Sequence, residues 1–184
     1  MKQTSSSTTV LIKRVGTAAL LLSFGVVAAF GERGEVNMTV SGSTAPSTVN
    51  LQPGTPASEY QLAGNGHLGP FTLRVISAGG VPGESPTCSG SKKLYVPVVA
   101  GAAVARFENG DILTLFLTAG DDCIDFQANQ ALCTRVFQIT GGTGRFHGAS
   151  GGAITLTMTV VPVLGDASNN PVFFAVTGSV TGTI

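Results

Sequence analysis

Apolar and polar residues alternate along most of this chain with a period of two. The clearest run is Ala153–Val163, where Ile154, Leu156, Met158 and Val160 interleave with Thr155, Thr157 and Thr159. Such a stretch has one apolar face and one threonine face, which suits a half-buried strand. The same reading predicts strands over about 36–42, 59–66, 70–78, 94–107, 112–118, 133–140, 153–163 and 171–183. No segment beyond the first thirty or so residues repeats its apolar positions every three to four residues. Eight consecutive short strands separated by turn signals predict an all-β fold with meandering antiparallel pairing. Eight strands are enough to close a barrel that is either filled by its own side chains or holds one small ligand. A β-sandwich is the alternative.

The breaks in the pattern predict the connections. Residues 43–58 hold three prolines and many hydroxyls, and read as a long loop. Residues 79–92, rich in Gly, Pro and Ser, read as another. Asn109–Gly110 is a strong hairpin signal between 94–107 and 112–118. Pro97 cannot donate to a ladder and is expected at a bulge or an exposed edge, which argues against perfect closure. Residues 119–133 carry Asp121, Asp122 and Asp125 and read as a solvated hairpin tip. Their spacing lacks the glycine and distal glutamate of an EF-hand calcium loop, so no metal is expected there.

The stretch Phe137–Gly152, FQITGGTGRFHGASGG, links two strands through glycine turns. Gly141, Gly142, Gly144, Gly148 and Gly151 are expected to serve the turn, and Phe146 to be a buried plug between its two halves. A phosphate-binding loop is disfavoured. GGTG is followed neither by Gly-Lys-Ser/Thr nor by a helix. Position by position, GGTGRFHGASG resembles the turn of the allene oxide cyclase and dirigent proteins and of bacterial exported proteins with the same domain. Gly64–Thr72, GNGHLGPFT, is similar to a second stretch common in those bacterial proteins. The two motifs cover about a ninth of the chain. The resemblance implies an eight-stranded antiparallel, calycin-like barrel. It hands over no catalytic residue, because the acidic and basic groups that those enzymes place inside their barrels have no match here.

Composition adds a compartment. Lys2, Lys13 and Arg14 precede the uncharged run Val15–Phe30 of sixteen residues, the pattern of an export signal over 1–31. An uncleaved N-terminal anchor is the alternative. The expected domain is then 32–184, secreted, periplasmic or at the cell surface, with no membrane attachment once the signal is removed. That domain carries seven basic and ten acidic residues and no basic run beyond Lys92–Lys93, which disfavours nucleic acid as a partner. Oligomeric state is not legible.

Few residues invite chemistry. An exported chain with Cys88, Cys123 and Cys133 is expected to form a disulfide. Folding 112–126 and 131–140 about Ala128 would set Cys123 opposite Cys133 and leave Cys88 free; Cys88 with either partner is the alternative. His67 and His147 lie in glycine turns and read as turn residues. Arg145 is expected to meet loop carbonyls or solvent. Arg74 and Arg106 lie mid-strand and are the candidates for fixing a ligand inside a barrel, if their faces turn inward. No catalytic set, no cofactor and no metal site is expected. Three functions follow: binding of a small apolar molecule in the barrel, a pocketless surface or structural role, and a cyclase- or dirigent-type enzyme.

Overall fold

The computed structural model describes residues 34–184. The expected export segment lies outside the described residues. Eight strands run β1 Glu35–Ser47, β2 Ala57–Gly66, β3 Phe71–Gly79, β4 Lys93–Phe107, β5 Ile112–Asp125, β6 Gln130–Gly142, β7 Ala153–Gly165 and β8 Pro171–Thr183. Each is antiparallel to its neighbour in sequence, and β1 pairs with β8 from Glu35↔Thr183 to Thr44↔Phe174, so the sheet closes into a barrel. The only helix among the described residues is a single 3-10 turn, Gly144–Phe146. The fold is therefore all-β and a closed eight-stranded antiparallel barrel; the sandwich alternative is set aside.

Period-two burial explains the closure. Val36, Met38 and Val40 on β1, Leu73 and Val75 on β3, Phe137 and Ile139 on β6, and Ile154, Leu156 and Met158 on β7 all point inward and are buried. Phe137, Leu156, Met158 and Val176 are the largest fully buried apolar side chains. Fully burying each is worth about 1.5–3 kcal/mol. Their polar neighbours, such as Thr155 and Thr157, line the outer wall.

Three expectations about connections need correction. The loop foreseen over 43–58 is shorter, because β1 continues through Ser47 and β2 begins at Ala57. Thr44 is buried there and its Oγ1 donates to the Glu59 carbonyl at 2.8 Å, so hydroxyls that suggested a loop instead support a ladder. Residues 119–133 are not a solvated tip: Ala119–Asp125 pairs with Gln130–Val136, and only a four-residue turn remains. The loop over 79–92 does persist, pinned by a bridge between Gly83 and Tyr95. The β3–β4 register shift at Ala78/Gly79 leaves Val99 as the extra residue, two positions from Pro97; Pro97 itself pairs with Asp121 on β5, and the barrel closes around it.

Candidate functional site

The two halves of the barrel interior differ. At one end the β2–β3, β4–β5 and β6–β7 connections meet. There Phe146 is buried against Phe107, with ring centroids 4.9 Å apart, and Phe107 packs on Phe71 at 5.5 Å. This aromatic stack plugs the barrel. Arg145 lies over it, 4.6 Å from the Phe107 ring and 4.8 Å from the Phe146 ring. Its Nε pairs with Asp111 Oδ2 at 3.3 Å, and its Nη2 donates to the Leu68 carbonyl at 2.7 Å. Arg145 therefore does meet a loop carbonyl and also ties three connections together.

The glycine turn is built for this plug. Gly144 adopts φ +58°, where only glycine is comfortable, and any Cβ there would collide with the Asp111 carboxylate. Gly142 has ordinary φ, but a Cβ on it would lie 2.5 Å from Phe146 Cβ and 2.7 Å from the Ile112 carbonyl. Its role is close approach. His67 and His147 are exposed turn residues.

Above the plug the axis is apolar and nearly full. A void of about 20 Å³ remains, lined by side chains including Met38, Leu73, Leu115, Phe137, Leu156 and Val180. That is room for about one water-sized sphere, and the lining offers a water no polar partner.

The other half holds the candidate site, a buried polar cluster around Arg135. Arg135 is 1% exposed. Its Nε donates to Ser77 Oγ at 3.3 Å. Its Nη1 donates to Asp122 Oδ1 at 2.8 Å and to the Asp121 and Thr134 carbonyls at 2.9 Å each. Its Nη2 donates to Asp122 Oδ2 at 3.0 Å and Tyr60 Oη at 3.1 Å. The bidentate Arg–carboxylate pair is the strong form of such contacts. Burial works against the guanidinium, but the Tyr60 oxygen and the Asp122 carboxylate outweigh it and raise its pKa. Burial likewise pushes the Tyr60 phenol and the Cys133 thiol above their ordinary values, the Asp122 carboxylate adding to both. The Tyr60 phenol and the Cys133 thiol are therefore held in their protonated, neutral forms beside the Arg135–Asp122 pair. A protonated, buried thiol is a poor nucleophile. Among the described residues no buried side-chain nitrogen or oxygen lacks a partner, and no group of three His, Cys, Asp or Glu is placed to hold a metal.

One irregularity creates this cluster. On β5, Leu113, Leu115 and Leu117 face inward. A register shift between Leu117 and Ala119 reverses the phase, so Asp122 faces inward opposite Cys133. The register set by the 126–129 turn decides the disulfide. Cys123 pairs with Leu132, not Cys133, and adjacent residues on a strand point to opposite faces. The expected Cys123–Cys133 bridge is therefore corrected: Cys123 bonds Cys88 from the 80–92 loop, with Cα atoms 5.5 Å apart, and Cys133 is the buried free thiol.

Arg74 and Arg106 are also corrected as lumen residues. Both lie on the exposed outer wall, because Leu73, Val75, Ala105 and Phe107 take the inner face. Arg74 edges a shallow outer groove of about 220 Å³ floored by Ile76, Ala102 and Val104. The arginine that does enter the barrel is Arg135. Its position was readable, since it shares a period-two face with Phe137 and Ile139. Asp122 was not, because a bulge leaves no mark in an alternation.

No protein-family model, curated protein or solved structure matches this chain.

Outside the barrel, large apolar side chains are exposed near the end opposite the plug. Leu132, Val161, Val163, Leu164 and Phe173 lie on or beside adjacent strands β6, β7 and β8, and Phe126 is at the β5–β6 turn. No helix among the described residues is long and apolar enough to cross a membrane.

Proposed function

We propose that this is an exported barrel of the pocketless kind, a surface or structural protein whose interior serves stability and whose outer wall meets its surroundings. The observation that carries this reading is the filled interior. One half is packed by apolar side chains to within about 20 Å³, and the other is occupied by a hydrogen-bonded Arg135–Asp122–Tyr60–Ser77 cluster. Ligand pockets usually enclose a few hundred Å³ or more. The Cys88–Cys123 disulfide and the basic start followed by an apolar run support export. The barrel and the position of GGTGRFHGASG at its plugged end support the allene oxide cyclase and dirigent resemblance as a statement of architecture. A cyclase- or dirigent-type activity has less support, because a shaped cavity with unpaired polar groups is what such chemistry uses.

The second reading, a small apolar ligand in the barrel, is favoured by one feature: the void on the axis has a wholly apolar lining. One titration separates the two. The domain 32–184 is mixed with a medium-chain fatty acid and with an apolar dye, following the methyl signals of Leu115, Leu156 and Met158. The pocketless reading expects no saturable shift and no rise in melting temperature. A one-to-one complex would overturn it, since ligand at a hundred times Kd adds about 2.7 kcal/mol of stability. For export, the N-terminus of secreted protein is expected between Phe30 and Gly34. Intact Met1 in the membrane fraction would refute cleavage.

A further inference from the structure

We propose that Asn109 is a site of spontaneous covalent modification, where deamidation of its side chain loosens the plug of the barrel. The β4–β5 hairpin turn places an asparagine before a glycine, the pairing in which the next backbone nitrogen is least shielded by a side chain. Gly110 has φ +89° and nothing within 4 Å of where a Cβ would stand. Asn109 is exposed. Its amide is held at both ends by Asp111. The Asp111 backbone N–H donates to Asn109 Oδ1 at 3.1 Å, and Asn109 Nδ2 donates to Asp111 Oδ2 at 2.7 Å. The first of these bonds closes an Asx turn, which folds the side chain back over the Gly110 peptide. It also polarises the amide carbonyl and gives a developing oxyanion a backbone donor.

The steps balance with water as the only co-reactant. The Gly110 nitrogen attacks Asn109 Cγ and loses its proton to water. The Cγ–Nδ2 bond breaks, and the amide nitrogen leaves as ammonia after taking up a proton. Water then opens the resulting succinimide, giving aspartate or isoaspartate at position 109. Attack waits on opening of the Gly110 N–H bond to the Phe107 carbonyl, which is 2.9 Å long. The chain contains its own comparator, Asn65–Gly66. There the Gly66 N–H points at its own Asn65 Oδ1 at 2.8 Å, and Gly66 is held in the ladder opposite Met38. That nitrogen is engaged by the group it would attack.

The consequence reaches the plug through Asp111. Aspartate at 109 sets a second carboxylate where an amide donor stood, and adjacent carboxylates repel. Asp111 is the partner of Arg145, and its carboxylate packs against Gly144. Pushing Asp111 aside therefore weakens the hold on the Gly144–Phe146 turn. Isoaspartate lengthens the backbone and also disturbs the Phe107 N–H to Asp111 carbonyl bond of 2.9 Å.

The test has two arms. Purified 32–184 is incubated at mildly alkaline pH, and peptide mass mapping with isoaspartate detection follows both sites. Asn109 is expected to convert roughly five-fold faster than Asn65, the factor that one net hydrogen bond of orientation supplies. Equal rates, faster loss of Asn65, or no conversion at Asn109 would overturn the proposal. In the second arm, Asn109→Asp is expected to raise amide hydrogen exchange at Phe146, His147 and Ala149, while Asn65→Asp leaves those amides unchanged. Unchanged exchange in Asn109→Asp would sink the link to the plug, as would an equal rise in both variants.

Discussion

Removing the carboxylate of Asp122 isolates a cation that has nowhere to go. Arg135 is 1% exposed, and the Asp122 side chain is 20% exposed, so screening by solvent reduces their interaction only in part. In Asp122→Ala, Arg135 keeps Ser77, Tyr60 and the carbonyls of Asp121 and Thr134 but loses both charged hydrogen bonds. Breaking a buried pair from one side costs about 3–5 kcal/mol. For a domain of this size that lowers the melting temperature by roughly 10–15 °C. Replacing both partners by apolar residues behaves differently. Asp122→Leu with Arg135→Met removes the charges together and is expected to recover most of the loss, because the pair's own desolvation cost disappears as well. Tyr60→Phe deletes one hydrogen bond from the guanidinium and should cost about 1–2 kcal/mol. The measurement is reversible urea unfolding of 32–184 and its variants, read as a double-mutant cycle. If Asp122→Ala cost under about 1 kcal/mol, the charge of Arg135 would have to be satisfied without Asp122. The account of the upper barrel as a closed polar network would then fail.

Three further outcomes are expected. Phe146→Ala empties the plug and should cost about 3–5 kcal/mol, and Gly142→Ala should also destabilise through its clash with Phe146 Cβ; full stability in both by thermal unfolding would refute the structural reading of the turn. Non-reducing peptide mapping should link Cys88 to Cys123. Serine at both positions should cost about 4 kcal/mol on the loop-closure estimate for a separation of 35 residues, and a peptide joining Cys133 to either would contradict the register of β5 and β6. Stability should fall on the alkaline side, because Cys133 and Tyr60 have raised folded pKa values. Their contribution is complete below their unfolded values, about 8.5 and 10, and is lost as pH rises from there toward the folded ones. Cys133→Ala should remove the earlier part of that loss in a pH series of unfolding midpoints, and an unchanged profile would show that the thiol is not protonated by burial.

Most of the barrel was legible because its signal is local. Alternation in β3, β6 and β7 names the inner residues directly, and Asn109–Gly110 marks its hairpin. What escaped was set by register. The strand end Thr44–Ser47 is rich in hydroxyls and proline, yet it is fixed by pairing with Ala57–Tyr60 on the next strand. The inward turn of Asp122 depends on one extra residue near Thr118, and a bulge changes phase without changing composition; the place of Cys123 opposite Leu132 depends on a turn over 126–129 rather than one centred on Ala128. Arg135 could have been found from its own strand. Its significance could not, because its partners come from β2, β3 and β5.

The seam between β1 and β8 has a consequence for how the chain reaches this state. Glu35 pairs with Thr183, and the Ile184 N–H donates to the Gly34 carbonyl at 3.1 Å, so the first and last described segments must meet. While the polypeptide emerges from its N-terminal side, β1 can pair with β2 but its other edge stays bare until β8 arrives. Such an edge invites pairing with another molecule, and contacts so far apart in sequence are slow to form. The hazard is therefore a matter of timing and belongs to the unfinished chain: once the seam is made, no edge is left to protect.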